Sequence, residues 1–114
     1  MDGIELIRQE RIRQIEKEGF DAEKDQAYML GELAAAAQCY TRFAVLQLGA
    51  KRMKARRNLS VYEQMMEEIG KLETQPPGIW PWDVSWWKPS DDPVNNLKKA
   101  GALTAAQIDR VLAE

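Results

Sequence analysis

Histidine is absent from this chain, and cysteine occurs once, at Cys39. Without histidine there is no Ser-His-Asp or Cys-His catalytic arrangement and no Cys/His zinc site. A single thiol closes no internal disulfide. No apolar run approaches the roughly 18 residues that a spanning helix needs, so no membrane partner is expected. The N-terminus, MDGIELIRQERIRQ, is charged from its second residue and reads as no signal peptide. No alternating apolar–polar run signals a strand, and no repeat or low-complexity tract occurs. What is present is 114 residues, 45% apolar and 30% charged, with a formal net charge of −2. That length fits one domain spanning 1–114, with a core that can close without a disulfide or a metal.

The expected fold is all-α, a compact bundle of about four helices with an ordered Trp/Pro-rich connection before the last. From Gly3 to Glu18, Ile4, Ile7, Ile12 and Ile15 fall on one helical face, with arginines and glutamates elsewhere. Gly19 suits a left-handed stop, and Asp25 in the polar link after it suits an N-cap. GELAAAAQCYTRFAVLQLG, with Leu30, Leu33, Ala37, Tyr40, Ala44 and Leu48 recurring at helical spacing, predicts a second helix whose apolar pattern ends at Gly49; the basic stretch from Lys51 to Arg57 reads either as loop or as a continuation of that helix. Its alanines, Ala34 to Ala37, would admit a close helix neighbour. Ser60 and Glu63 form a capping-box pattern that predicts a third helix over Val61–Glu73. Its apolar face, Tyr62, Met65, Met66, Ile69 and Leu72, exceeds what a small bundle needs and predicts a homo-oligomer. Asp92 as N-cap and Pro93 at the first position open the last helix, with Val94, Leu97, Gly101, Thr104, Ile108 and Val111 as its inward stripe.

PPGIWPWDVSWWKPSDDP contains all four tryptophans and all five prolines of the chain. Two readings of this segment compete. The tryptophans close the open end of the bundle, with Trp80 and one of Trp86 and Trp87 buried; or they form a platform that stacks a ring or grips a partner. Trp82, Trp86 and Trp87, with Lys88 beside them, are the candidate contacts for an anionic ligand with a flat ring. Lys51, Arg52, Lys54, Arg56 and Arg57 place five cations in seven residues. Arg52 and Arg56 are candidate partner contacts, although the acidic net charge and the lack of a DNA-binding motif argue against nucleic acid. Arg56 and Arg57 stand near Glu63, Glu67 and Glu68 in sequence and would pair with them. No Glu-x-x-Glu pair occurs to hold magnesium on adjacent helical turns, and no metal ligand, cofactor or catalytic residue is assigned. Glu32 and Asp109, beside apolar stripes, would pair with Arg11, Arg13 or Arg110. Cys39 reads as a small core residue.

Several strings taken together resemble a family of small proteins encoded by tailed phages and prophages among their accessory genes. They are ERIRQ (Glu10 to Gln14) with Glu18-Gly19, GELAAAAQCY (Gly31 to Tyr40), WPWD (Trp80 to Asp83), WWKP (Trp86 to Pro89) and NLKKAGALTAAQIDR (Asn96 to Arg110). Family members carry His-Asp before the Gly-Glu-Leu string, where this chain has Lys24-Asp25. The resemblance implies a phage origin and an all-α fold, but no activity. The expected function is therefore that of a phage accessory protein in the host cytoplasm. It would bind a host protein or a small nucleotide signal, in the manner of a counter-defence protein. The alternative is a divergent magnesium-dependent nucleotide pyrophosphohydrolase.

Overall fold

Small side chains set the main helix contact. A computed structural model describes residues 1–18 and 31–114. Among them are four α-helices: α1 (Gly3–Arg13), α2 (Glu32–Ala55), α3 (Leu59–Thr74) and α4 (Pro93–Leu112). The most extensive contact joins α2 to α4, and Ala36 and Ala37 of the one share a buried core with Ala100, Leu103 and Ala106 of the other. α3 packs on the opposite side of α2, and α1 packs on α4, so the helices contact in the order α1–α4–α2–α3. No strand occurs among the described residues, and none of their helices is long and apolar enough to cross a membrane.

α1 turns a polar face inward. Ile4, Ile12 and Ile15, expected inside, are exposed, while Glu10, Arg11 and Gln14 are buried. The cause is partnership: Arg11 reaches Asp109 of α4 at 3.2 Å, and Glu10 holds Arg13. Ile7 alone of the isoleucine stripe makes the close contact, lying over Gly101 of α4. A Cβ on Gly101 would come within 2.6 Å of its Cδ1. The helix continues as a wider π turn over Gln14–Glu18. The expected stop at Gly19, the expected N-cap Asp25 and the stripe position Leu30 lie outside the described residues.

α2 does not end at Gly49. It runs through the basic stretch to Ala55, because lysine and arginine are good helix formers and suit a helix C-terminus. The N–H of Arg57 donates to Lys54 C=O at 3.1 Å and that of Asn58 to Met53 C=O at 2.9 Å. This paired closure normally takes glycine at the left-handed position, here filled by Arg57 at φ 59°. Asn58 then caps α3, its Oδ1 accepting from Val61 N, so the Ser60–Glu63 box is not the start of that helix. At its other end α2 begins at Gly31, φ 81°, and Ala34 N donates to the Gln107 side chain of α4 at 3.1 Å.

The face of α3 expected to be available for self-association is largely engaged within the chain. Ile69 and Leu72 are buried, Tyr62 and Met65 pack against the core, and only Met66 stays exposed. α4 starts as expected, with Asp92 Oδ1 accepting from Val94 N at 2.9 Å. Its stripe is rotated from the expected one: Val94, Leu97, Ile108 and Val111 are exposed, and Asn96, Ala100, Leu103, Ala106 and Arg110 are buried. Close approach to α2 favours alanines over the bulkier side chains. Asn96 fixes the rotation. Its Oδ1 accepts from Ser90 N at 2.8 Å, and its Nδ2 donates to Gln47 Oε1 at 2.8 Å and Ser90 O at 2.7 Å.

Candidate functional site

The connection from α3 to α4 crosses α2 and is held by its aromatic rings. Trp87 is buried, its indole N–H donating to Leu72 C=O at 2.6 Å at the end of α3. Its ring lies 4.9 Å from that of Tyr40 and 6.2 Å from that of Phe43, both on α2. Trp80 stands edge-on to Tyr40 at 5.8 Å, to Trp82 at 5.4 Å and to Trp87 at 5.1 Å. These edge-to-face geometries suit the ring quadrupoles. Trp80 is half-buried, its N–H donating to Asp83 C=O at 3.1 Å. Asp83 also caps the single helical turn Val84–Trp86 through Ser85 N, and the hydrogen bonds from Ser85 hold its carboxyl below the ordinary range. The burial reading thus holds for Trp87 and in part for Trp80, whereas Trp86 is 61% exposed.

In front of this cluster lies a cavity of about 590 Å³. One wall is aromatic, formed by Tyr40, Trp80, Trp82 and Trp86. The π turn and the end of α1 supply Glu10, Arg13, Gln14 and Glu18, the approach to α4 supplies Lys88 and Ser90, and α4 itself supplies Asn95, Lys98, Lys99 and Leu103. Arg13 donates to both Glu10 oxygens, at 2.9 and 2.7 Å, and to Glu18 at 3.0 Å, which strengthens its hold on its proton. Lys99 donates to Lys88 C=O at 2.9 Å and lies 5.3 Å from the Tyr40 ring centre. Desolvation first, then Arg13 and Lys88, pull its pKa down, against Glu10 and Glu18. Burial pushes the Tyr40 phenol up to about 12. The lining thus carries four cations and two carboxylates, a surplus of two positive charges in a chain of net charge −2.

Of the residues singled out from the sequence, Trp82, Trp86 and Lys88 line this cavity. Trp87 stands behind its wall, in the core. Arg52 and Arg56 lie elsewhere: Arg52 is twelve residues beyond Tyr40 on α2, about 18 Å along the helix axis. Neither Arg56 nor Arg57 makes an ion pair among the described residues; Glu68 pairs with Arg42 and Glu67 with Lys71. Arg13, Gln14, Tyr40, Asn95, Lys98 and Lys99 were not singled out as ligand contacts. Apart from Asn95, which no string contains, their signal was the set of strings itself. ERIRQ with Glu18, GELAAAAQCY, WPWD, WWKP and NLKKAGAL, scattered over the chain, each send at least one side chain to this one cavity.

Among the described residues, no three acidic, cysteine or histidine side chains gather closely enough to hold a metal ion. The two carboxylates of the cavity are bonded to Arg13. Asp109 has Arg11 as its partner, tying the first and last helices. Cys39 is fully buried, and burial pushes its thiol up to about 11 against the pull of Arg42, as suits a core residue rather than a nucleophile. Comparison with protein-family models, with curated proteins and with solved structures finds no match for the chain.

Proposed function

We propose that this is a phage accessory protein that binds a small, negatively charged host molecule in the tryptophan-walled cavity and thereby withholds it, in the manner of a counter-defence protein. The observation that carries this reading is the cavity's composition. An aromatic wall and a local positive surplus stand together in a chain that is acidic overall. A volume of about 590 Å³ suits a small molecule rather than a protein surface. A cationic guest would meet Lys88, Lys98 and Lys99, and the Tyr40 face that could hold it already carries Lys99. The convergence of five separated strings on one cavity supports a shared binding role for them. The site of action would be the host cytoplasm.

The test is direct. Purified protein is incubated with a small-molecule extract of host cells, washed by filtration and heat-denatured, and the released molecules are identified by mass spectrometry. One or more anionic compounds with a flat ring should be released. Release of nothing beyond a buffer control sinks the reading.

A further inference from the structure

We infer that the ligand of this cavity is a nucleoside phosphate, its base stacked on Trp86 and its phosphate held by Lys88 and Lys98; the assignment rests on the small-ligand reading above. The first argument concerns rings. The rings of Trp80, Trp82 and Trp87 are engaged with one another or with Tyr40 and Phe43. Trp86 shares in none of these contacts among the described residues, and its ring is largely exposed at the cavity. Its backbone is nevertheless fixed, since its N–H donates to Asp83 C=O at 3.0 Å within a capped turn. A large ring on a fixed backbone, left largely exposed by the other described residues, is a stacking platform, and every nucleobase has a face to cover it.

The second argument concerns charge. Arg13 is bonded to Glu10 and Glu18, and Lys99 to a carbonyl and the Tyr40 face. Lys88 and Lys98 line the same cavity and make no ion pair among the described residues. Two uncommitted ammonium groups and a surplus of two charges match a phosphate monoester, which carries about −1.5 to −2 at neutral pH. The third argument concerns the sugar. Ser90 Oγ accepts from Asp92 N at 3.1 Å and from Asn95 Nδ2 at 3.3 Å. Among the described residues the Ser90 hydroxyl proton and the Asn95 side-chain carbonyl meet no partner, and both can serve hydroxyl groups of a ligand. A simple aromatic acid would use the ring and the charge but not this pair.

The full chain is titrated by calorimetry and by tryptophan fluorescence with the four common ribonucleosides, their 5′-mono- and diphosphates, and inorganic phosphate. At least one nucleotide should bind about tenfold or more tightly than its nucleoside and than inorganic phosphate, with affinity falling as salt rises. Trp86→Ala should weaken that nucleotide about tenfold or more, and Lys98→Gln by several-fold with a shallower salt dependence. Both variants should keep the parent's melting temperature. A nucleoside binding as tightly as its phosphate, or a Trp86→Ala variant of parental affinity, overturns the assignment. So does failure of every probe. If the host extract still yields a retained molecule in that case, only the nucleotide assignment is lost; an empty extract removes the binding reading beneath it.

Discussion

Trp87→Ala tests whether the connection is a structural wall. The side chain is 6% exposed and packs on Tyr40, Phe43 and Trp80, and its N–H serves Leu72 C=O. Truncating a buried tryptophan costs about 3–5 kcal/mol. Leaving the Leu72 carbonyl without its donor at the end of α3 adds about 1 kcal/mol or more. For a domain of this size, 1 kcal/mol moves the melting temperature by about 4 °C, so the loss should be about 15 °C or greater. Against a total stability of about 5–15 kcal/mol, a weakly stable parent would fail to fold. Trp87→Phe, which keeps a ring and drops the N–H, should fall between parent and alanine variant. Trp86→Ala is the control and should lie within about 0.5 kcal/mol of the parent. Melts followed by circular dichroism, with urea titrations for the free energies, decide the matter. If Trp87→Ala and Trp86→Ala melt together, the division between supporting and presented tryptophans is wrong.

Arg57→Gly should stabilise the protein by about 1 kcal/mol in urea titration, because a left-handed residue closing α2 is relieved of its Cβ; an unchanged or lower midpoint would contradict the strain argument. Gly101→Ala should destabilise by about 1–2 kcal/mol, since overpacking against Ile7 exceeds the gain in helix propensity, and Ile7→Val should recover part of the loss. Additive effects of the two substitutions would show that they do not touch. Asn96→Leu, which removes three hydrogen bonds linking Gln47 and Ser90 to α4, should cost about 3 kcal/mol or prevent folding; a parental melt would refute the network. Stability should also fall between about pH 9 and 12. Cys39 and Tyr40 ionise near 11 and 12 when folded, above their ordinary values of 9.0 and 10.0, so the unfolded chain loses its protons first. Below its ordinary pKa of 10.5, Lys99, pulled down by desolvation, works the other way, so the decline should steepen above that pH; a flat profile would contradict the burial of both acids.

Helix-forming composition and the Asp92–Pro93 start were legible because they are local, and local chemistry survives in any tertiary setting. Rotation of the helices was not. In α1 and α4 the isoleucine, valine and leucine stripes look like core, yet Glu10, Arg11 and Asn96 are buried in place of most of them. Periodicity alone does not see the distant pairings that bring them in: Asn96 meets Gln47, 49 residues away, and Arg11 meets Asp109, 98 residues away, one of three arginines that the sequence offered to that carboxylate. Gly49 looked like an ending because glycine usually weakens a helix, but Met65 of α3 lies 3.1 Å from where its Cβ would be, so the small residue lets α3 approach. In the cavity, the tryptophans and Lys88 announced themselves by rarity. Arg13, Lys98 and Lys99 looked like ordinary solvated charge on a helix until the fold set them opposite the rings.

The cavity's back wall belongs to the core: Tyr40, Trp80 and Trp82 are packed into the aromatic cluster that holds the connection down. This arrangement divides the site into a part that cannot drift and a part that can. Change at the back costs folding stability, so substitutions at Tyr40, Trp80 and Trp82 should be tolerated less well than substitutions at the edge. Trp86, Asn95 and Lys98, at its edge and less tied to the packing, are where substitutions can accumulate without collapse. On the proposed function, new specificity in this scaffold would arise by altering charge and ring at the rim over a constant rear wall.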